Sequence, residues 1–505
     1  MPWVRENRLG LALACVVLVA ALAASSRVTG LAWDDGVYVA AGHALAAGRG
    51  YVLADRIGNQ AVPLYPAGYP LIVALVWRLV GSQGATLAGL ALLSALSVAA
   101  AAFLWWRVLR EEVTGRTAAL LVAVPALSYA TLLTGELRMA DAPYALLVAA
   151  AAALWRRALE SRRAMAALIA VAALAVPLRT AGAVLPIAVA LLLVARRRWW
   201  PAAGAVAAAA GLYLALGLTL RPPEPSYLEV VRVAWAAGGS GLETLRATLG
   251  GDLWTSIVAM VAPPLVYSSA IQRAAHGALA LHAAYVLAVA AIVFAAAWGG
   301  WRRLAADRWA VGDLVLVGAV ALIFVVPVGM LPRFLVPVGP VLALWLWEGT
   351  GARGGRWATA AGAVLAVLLV LTTVEAVRHV RSQPRILAAR GAAYAAAGHA
   401  ARAWLGARGL VAAEFPEALW LETGLRSVST NTALEIMETP RAALAEAAGE
   451  LGPVTRGCLL DTGHFPVWGR LFFDFEGRPG AQVLPGLDGR YVRVVCWPGG
   501  AAPAP

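Results

Sequence analysis

The sequence predicts an α-helical polytopic membrane protein of about eleven transmembrane helices, followed by a small C-terminal α/β domain. Hydrophobic residues make up 61% of its 505 residues and charged residues only 14%, with a mean hydropathy of +0.74. These values lie well outside the range of soluble domains. Long apolar runs alternate with arginine clusters up to about residue 375, and the composition becomes more polar after that point.

The placement of arginines predicts the orientation of the chain. Arg5 and Arg8 precede the first apolar run, Leu9–Ala24, so the positive-inside rule puts the N-terminus in the cytoplasm. The later multi-arginine clusters at span ends then fall on that same side. A net charge of +13 would suggest a nucleic-acid partner in a soluble protein, but here this placement explains it. We therefore predict a multi-pass protein of the cell (inner or plasma) membrane, with its C-terminal domain extracytoplasmic and no nucleic-acid partner.

The remaining spans are predicted from the apolar runs in chain order. The segment Leu71–Val80 is too short to cross a bilayer and is predicted to be a half-buried surface helix. The fifth and sixth spans lie between Arg163 and Arg196 and meet outside near Pro177. The other predicted spans are Leu87–Leu109, Thr117–Leu133, Ala142–Leu154, Trp199–Leu220, Gly277–Trp298, Val311–Met330, Leu335–Trp347 and Ala358–Val374.

Two domains are predicted from this segmentation. Residues 1–375 form the transmembrane domain, with a first outer loop over 25–86 and a long outer loop over 221–275, and residues 376–505 form the extracytoplasmic α/β domain. Cys458 and Cys496 both fall in that domain, where either a disulfide or two buried thiols would be permitted. Its short β-type runs are Val411–Ala413, Arg426–Thr430, Cys458–Leu460 and Tyr491–Trp497, with a turn predicted at Gly486–Gly489.

The stretch Trp33–Pro70 is polar and aromatic although it lies between strongly apolar segments. Asp34 and Asp35 open a short amphipathic pattern that predicts a helix, which Gly48 and Gly50 would end. Either carboxylate could cap that helix, but a cap needs only one of them. The second carboxylate therefore favours a catalytic function for the pair.

Few charged residues lie on the predicted outer side, and five of them sit in short re-entries between apolar spans. A lone charge in such a place is unfavourable without a partner, so each either faces a shared polar cavity or ends a helix in the headgroup layer. These residues are Glu136, Arg138, Asp141, Arg179 and Arg333.

Outer-side carboxylates flanked by arginines suit a lipid-phosphate substrate that carries a transferable group. Arginines would neutralise the phosphate as it leaves, and a carboxylate would take the proton from an acceptor hydroxyl or amine. All 41 basic residues are arginine, so any phosphate is held by guanidinium groups. No glycine-rich nucleotide loop is present, so the donor must arrive already activated and bound to the membrane.

In these motifs the chain resembles the C-fold glycosyltransferases, in particular the bacterial branch similar to aminoarabinose transferases and protein O-mannosyltransferases. The resemblance covers essentially the whole chain and depends on the order and sidedness of the motifs together. The motifs are Trp33–Asp35 with Tyr38, Tyr65–Pro70, Glu136–Pro143, Arg179–Gly182 and Pro332–Phe334, followed by the small C-terminal domain.

The resemblance implies a glycosyltransferase that uses a polyprenyl-phosphate-linked hexose or pentose and a lipid, glycan or protein acceptor. In that family the acid of the first loop is the proposed base, which carries over to Asp34, with Asp35 beside it. A lysine that often helps hold the donor phosphate is replaced here by Leu64-Tyr65, so the phosphate contacts shift to arginines. Whether a divalent cation binds between the paired carboxylates stays an open question. The implied donor-phosphate residues are Tyr65, Arg138, Arg179 and Arg333, and the implied substrate-binding residues are Tyr38, Tyr69, Glu136 and Asp141.

Two other classes of function compete with this interpretation. A transporter or flippase of lipid-linked sugars predicts charged residues near mid-span and paired broken helices. The spans here are almost uniformly apolar, with charge at their outer ends. A receptor or scaffold that presents the C-terminal domain needs only an anchor, and eleven spans go well beyond that.

The predicted orientation can be tested by labelling single cysteines in a cysteine-free background. Cysteines introduced at Ser240 and Ala481 should react with a membrane-impermeant thiol reagent in intact cells, whereas one at Gly354 should not react. Labelling at Gly354 alone would invert the orientation and contradict the extracytoplasmic placement of the first loop.

Overall fold

The structure is a computed structural model that describes most of the chain. The described residues are 2–26, 28–30, 34–55, 61–62, 65–220, 253–268, 271–273, 279–325, 332–351, 355–405, 410–413, 415–427, 456–461, 482–484 and 492–498. Trp33, Pro63 and Leu64, the predicted turn at Gly486–Gly489 and most of the predicted long outer loop lie outside them.

Helices account for most of the described residues. In the first half they are α1 Pro2–Ala24, α2 Asp35–Ala46, α3 Gly68–Val80, α4 Gln83–Leu109, α5 Gly115–Ala126, α6 Tyr129–Glu136, α7 Asp141–Ala158, α8 Arg162–Leu178, α9 Val184–Ala195 and α10 Trp199–Thr219. In the second half they are α11 Leu253–Val261, α12 Pro263–Tyr267, α13 Leu279–Ala305, α14 Val311–Val325, α15 Pro332–Leu335, α16 Gly339–Gly349, α17 Gly355–Leu405 and α18 Pro416–Thr423. Short 3-10 turns cover Thr180–Ala183 and Val336–Val338.

Hydroxyl side chains start several of these helices. Thr114, Ser128 and Ser161 have extended backbone, and each accepts a hydrogen bond from the backbone N–H three residues on, which begins α5, α6 and α8. Such caps satisfy donors that would otherwise be left orphaned at a helix start. The predicted surface helix is present as α3, and Gly81 ends it in the left-handed conformation.

Within the described part of the chain, five helices are long and apolar enough to cross a membrane: α1, α4, α10, α13 and α17. The number rises to six if the bent pair α5 and α6 forms one span. Shorter apolar helices cover Gly68–Val80, Thr180–Ala195 and Val311–Leu322. The chain is thus a multi-pass helical membrane protein, while the count of eleven spans stays a prediction.

The predicted third span, Thr117–Leu133, is not a single straight helix. It is divided into α5 and α6, whose axes differ by 66°. Pro125 lies at the end of α5, and Ser128 caps α6 while its backbone N–H bonds back to the carbonyl of Pro125. Hydropathy does not register such a break, because the residues on both sides of it are equally apolar. The bend brings Glu136 to the end of a short helix of its own.

The chain divides into two compact units. The first unit comprises Met1–Ser25, Ala91–Leu216 and Gly238–Ser382, and the second comprises Ser26–Leu90, Gly217–Ala237 and Gln383–Pro505. The prediction divided the chain once, at residue 375, from its change of composition. The second compact unit contains both the first loop and the C-terminal segment, and the predicted domain boundary stays a prediction.

A buried ion network joins helix ends within the first unit. Arg303, only 2% exposed, donates to Asp313 at 2.9 Å and to Glu348 at 3.2 Å. Arg308 contacts the other oxygen of Glu348 at 2.6 Å, and Glu112 lies 3.6 Å from Arg303. Charges this deeply buried persist only when they are paired and hydrogen-bonded. The network therefore fixes the ends of α13, α14 and α16 against the turn after α4.

The second unit contains a four-stranded sheet of order β1-β2-β4-β3. Its strands are β1 Leu410–Ala413, β2 Arg456–Asp461, β3 Gln482–Val483 and β4 Arg493–Pro498. β1 runs parallel to β2, and β4 pairs antiparallel with both β2 and β3. Three of the four predicted β-type runs thus fall in strands. Of the run Arg426–Thr430 only the first two residues are described, and neither belongs to a named strand.

The disulfide that the sequence left open is formed. Cys458 and Cys496 lie directly opposite each other on β2 and β4 and are bonded, with their Cα atoms 4.1 Å apart. Both side chains are fully buried in a core that includes Tyr394 and Leu419. Cys15 is a free, exposed cysteine in α1.

Candidate active site

The two adjacent carboxylates of the first loop have different environments. Asp34 occupies the N-cap position of α2, is partly exposed, and its side chain makes no capping hydrogen bond. Asp35 is the first helical residue and is completely buried. The helix ends at Ala46, and Gly48 and Gly50 follow with positive φ, as predicted. The two neighbouring acids are therefore not equivalent, and Asp34 is the one with access to solvent.

Asp35 holds the backbone around it in place. Its Oδ1 accepts hydrogen bonds from the N–H groups of Gly30 at 3.2 Å and Gly36 at 3.0 Å. A Cβ on Gly36 would lie 2.4 Å from the Cβ of Glu417 and 2.7 Å from the Cα of Gly30, so only glycine fits there. This close approach packs the start of α2 against α18. Asp35 thus positions Asp34 through the backbone.

Asp35→Ala should therefore lower stability more than Asp34→Ala. A buried N–H that loses its charged acceptor costs about 1–3 kcal/mol in the free energy of unfolding. Asp34→Ala removes no capping bond, so the thermal midpoint in detergent should fall less in that variant. Equal losses of thermal midpoint in the two variants would contradict the positioning function of Asp35.

Three tyrosines of the loop pack on one another. The ring of Tyr38 meets Tyr65 and Tyr69 edge-on, with centroids 5.0 and 5.2 Å away. Tyr38 and Tyr69 are 3% and 0% exposed, whereas Tyr65 is partly exposed. The hydroxyl of Tyr51 donates to the carbonyl of Tyr65 at 2.7 Å, and burial raises the pKa of Tyr51, so the donor proton is retained. Of the three tyrosines, Tyr65 is the one placed to meet a ligand.

His43, on α2, lies between two tryptophans. Its ring is 4.4 Å from Trp77 and 5.0 Å from Trp420, centroid to centroid. Arg49 Nη2 lies 3.1 Å from His43 Nδ1. Burial, and then the charge of Arg49, lowers the pKa of His43, because both disfavour an imidazolium there. The neutral imidazole is thus the form that accepts from Arg49.

The lowered pKa of His43 predicts a loss of stability in acid. Because His43 is harder to protonate in the folded state, its contribution to the free energy of unfolding is fully present above its unfolded pKa of about 6.5. That contribution is lost as the pH falls through the folded pKa. The thermal midpoint should decrease between pH 7 and pH 5, and the decrease should be smaller in His43→Gln. An identical pH dependence in the two proteins would contradict the lowered pKa.

The re-entries of the first unit bring together four of the predicted motif residues. Asp141 begins α7, Arg179 follows α8, and the two side chains form a buried ion pair. The Arg179 guanidinium lies 4.7 Å from the centroid of the Phe334 ring, and that of Arg333 lies 5.9 Å from it. Two guanidinium groups therefore lie near one aromatic ring. Asp141 neutralises one of them, the Arg179 guanidinium.

Glu136 has a partner that the sequence did not suggest. Its Oε2 contacts His379 Nε2 at 2.9 Å, and both side chains are buried. Its Oε1 makes no hydrogen bond to any described residue. The His379 ring meets Tyr129 edge-on at 4.8 Å, and Arg138, only 2% exposed, interacts electrostatically with Glu136. His379 lies on α17 beyond Val374, the predicted end of the eleventh span, and no local pattern in the sequence links it to Glu136.

The predicted site residues thus form two groups, one in each compact unit. The first-loop group contains Asp34, Asp35 and the three tyrosines, and the re-entry group contains the five outer charges. Within the second group, Asp141 pairs with Arg179, and Glu136 pairs with His379 of α17. Across the described ranges, no three His, Cys, Asp or Glu side chains cluster as a metal site would require. A cation bound by Asp34 and Asp35 alone would need further ligands.

Comparison with known proteins decides the fold. No family model matches the sequence, and no curated protein matches it. The crystal structure of ArnT from Cupriavidus metallidurans bound to undecaprenyl phosphate is similar over 98% of this chain and 98% of that one, with TM-score 0.57 and 14% identity. The chain shares the fold of ArnT. The apo structure of the same ArnT agrees, with TM-score 0.54 and 14% identity over 96% of this chain and 97% of that chain. The predicted resemblance to aminoarabinose transferases of the C fold is confirmed at the level of the fold.

Proposed function

We propose that this protein is an integral membrane glycosyltransferase that moves a hexose or pentose from a polyprenyl-phosphate donor to an acceptor on the extracytoplasmic face. The observation that carries the proposal is the ArnT fold along 98% of both chains, since that ArnT binds undecaprenyl phosphate. The separate environments of Asp34 and Asp35 add support, because a base needs access and its neighbour supplies rigidity.

In the proposed reaction, the bond between the anomeric carbon and the donor phosphate oxygen breaks. A bond forms between that carbon and a hydroxyl or amine of the acceptor, and the acceptor proton passes to the Asp34 carboxylate. Asp34 acts as general base, which needs a partly solvated carboxylate within reach of the acceptor. Asp35 fixes the start of α2 and so fixes the position of Asp34.

The released polyprenyl phosphate carries more negative charge than the donor, so it needs cationic stabilisation as the bond breaks. We assign this function chiefly to Arg333. Its guanidinium offers a planar, bidentate fork, which takes over from the lysine that relatives often use. Arg179 also lies near the Phe334 ring and orders this region through its ion pair with Asp141. Arg138 and Tyr65 remain further candidates for the phosphate, and Glu136 for the acceptor.

Chemistry can be distinguished from transport by assaying the purified protein in detergent, where no compartments exist. The protein is mixed with a polyprenyl-phosphate-linked radiolabelled sugar and an acceptor fraction extracted from membranes. We expect protein-dependent release of polyprenyl phosphate and label in a new, non-polyprenyl product. An intact donor after many hours, combined with donor movement across vesicles containing the protein, would favour the flippase alternative instead.

A further inference from the structure

A cavity lies in the first unit at the opposite end of α7 from Asp141 of the re-entry group. It has a volume of about 370 Å³ and lies between the C-terminal ends of α4 and α7, beside the start of α14. Trp105 and Trp155 form part of its wall and are 3% and 4% exposed. The orientation predicted from the arginines makes this the cytoplasmic end. The proposed transfer reaction uses none of its residues.

The charges around this cavity are only partly neutralised. Arg156 donates to Glu111 and Glu112, both at 2.7 Å, and Arg303 is held by the buried ion network. Two further arginines of the lining, Arg107 and Arg157, form no ion pair with any described residue. The acids are thus already paired, and two guanidinium groups remain for an anionic ligand. Phosphate oxygens are the anions that guanidinium groups bind best in a planar fork.

Another part of the lining of the same cavity is apolar. Leu104 and Val108 line it from α4, Ala153 and Leu154 line it from α7, and all four side chains are partly exposed. An inorganic phosphate has nothing to place against these side chains. A phospholipid presents its phosphate to the arginines and its glycerol and upper acyl chains to the apolar wall. Basic pockets between helices on the cytoplasmic side are a recognised type of lipid headgroup site.

We infer that this cavity binds the headgroup of an anionic phospholipid from the cytoplasmic leaflet, with its phosphate between Arg107 and Arg157. The ion pairs of Arg156 keep Glu111 and Glu112 away from the lipid charge. A zwitterionic phospholipid fits the cavity in size but adds a cation beside four arginines, so the site selects for net negative charge.

The test measures lipid retained by the full-length protein in native mass spectrometry, using 1-palmitoyl-2-oleoyl phosphatidylglycerol and the matching phosphatidylcholine. The wild-type protein should retain phosphatidylglycerol in preference to phosphatidylcholine. The double variant Arg107→Gln/Arg157→Gln should retain about tenfold less of it. The control Arg162→Gln/Arg163→Gln removes the same charge from two exposed arginines at the start of α8 and should behave as wild type. Thermal midpoints confirm that each variant is folded.

Two further measurements distinguish binding of a phospholipid from binding of free phosphate. Ala153→Phe fills the apolar part of the cavity and should abolish retention of phosphatidylglycerol, while millimolar inorganic phosphate should not displace the lipid from wild type. Equal loss in both double variants, equal retention of the two lipids, or displacement by inorganic phosphate would overturn the inference.

Discussion

An Asp34→Asn variant is expected to lose sugar transfer by a factor of about a hundred or more while it keeps its fold and its affinity for polyprenyl phosphate. Asparagine has nearly the shape of aspartate but cannot take a proton from an acceptor. Because the Asp34 side chain makes no capping hydrogen bond, the change removes no helix cap. The measurement is turnover of a radiolabelled polyprenyl-phosphate sugar, alongside thermal midpoint and lipid binding.

The matched control for this variant is Asp307→Asn. Asp307 has a side chain that is 92% exposed and a backbone of positive φ, which asparagine tolerates, so the control removes the same charge without strain. Near-normal turnover in Asp34→Asn would contradict its assignment and move the search for a base to Asp141 and Glu136. Asp35→Asn should reduce turnover less than Asp34→Asn does if Asp35 only positions its neighbour. If the pair holds a metal, the two variants should lose turnover equally, and chelators should also inhibit the wild type.

Arg333→Ala is expected to weaken binding of polyprenyl phosphate by about tenfold or more, since a charge-assisted contact contributes about 1.5–3 kcal/mol. Arg333→Lys should recover only part of the affinity, because an ammonium group cannot reproduce a bidentate contact. Arg179 cannot substitute fully, because its charge is neutralised by Asp141. The measurement is the equilibrium affinity for polyprenyl phosphate in detergent, which requires no acceptor.

Arg116→Ala provides the control for this loss of charge, because Arg116 is exposed at the start of α5. It should leave the affinity unchanged. If Arg333→Ala and Arg116→Ala both bind the lipid as wild type does, Arg333 is not part of the donor site, and Arg138 becomes the next candidate.

Local patterns in the sequence were sufficient for much of the fold. The helix after Asp34, its end before Gly48 and the surface helix ending at Val80 were all predicted, because period and turn chemistry are short-range properties. The strand run Cys458–Leu460 was predicted for the same reason. The sequence also predicted that the arginine clusters at the span ends lie on one side of the membrane. In the structure, Arg107, Arg156 and Arg303 from three of these clusters line one cavity.

Long-range partners were not predictable in the same way. Glu136 and His379 are 243 residues apart, and their contact depends on the 51-residue continuity of α17, which composition had divided at Val374. The ion network likewise joins Arg303 to Glu348, which lies 45 residues further along the chain. Nothing local marks which distant arginine a buried acid will meet.

The difference between Asp34 and Asp35 also needed the structure. In the sequence they are adjacent and chemically identical, and capping or catalysis could be assigned to either. Packing distinguishes them, because Gly36 brings the backbone against Glu417 and leaves Asp35 enclosed with two N–H donors. The C-terminal segment therefore contributes directly to the geometry of the first loop.

An experimental structure of the full-length protein in nanodiscs with polyprenyl phosphate bound would show directly whether the protein binds this lipid at the proposed donor site. We expect phosphate oxygens of the polyprenyl phosphate about 3 Å from the Arg333 guanidinium, as in a charge-assisted hydrogen bond. Polyprenyl phosphate bound beside Arg107 and Arg157 instead, with Arg333 making no contact to it, would contradict the proposed donor site.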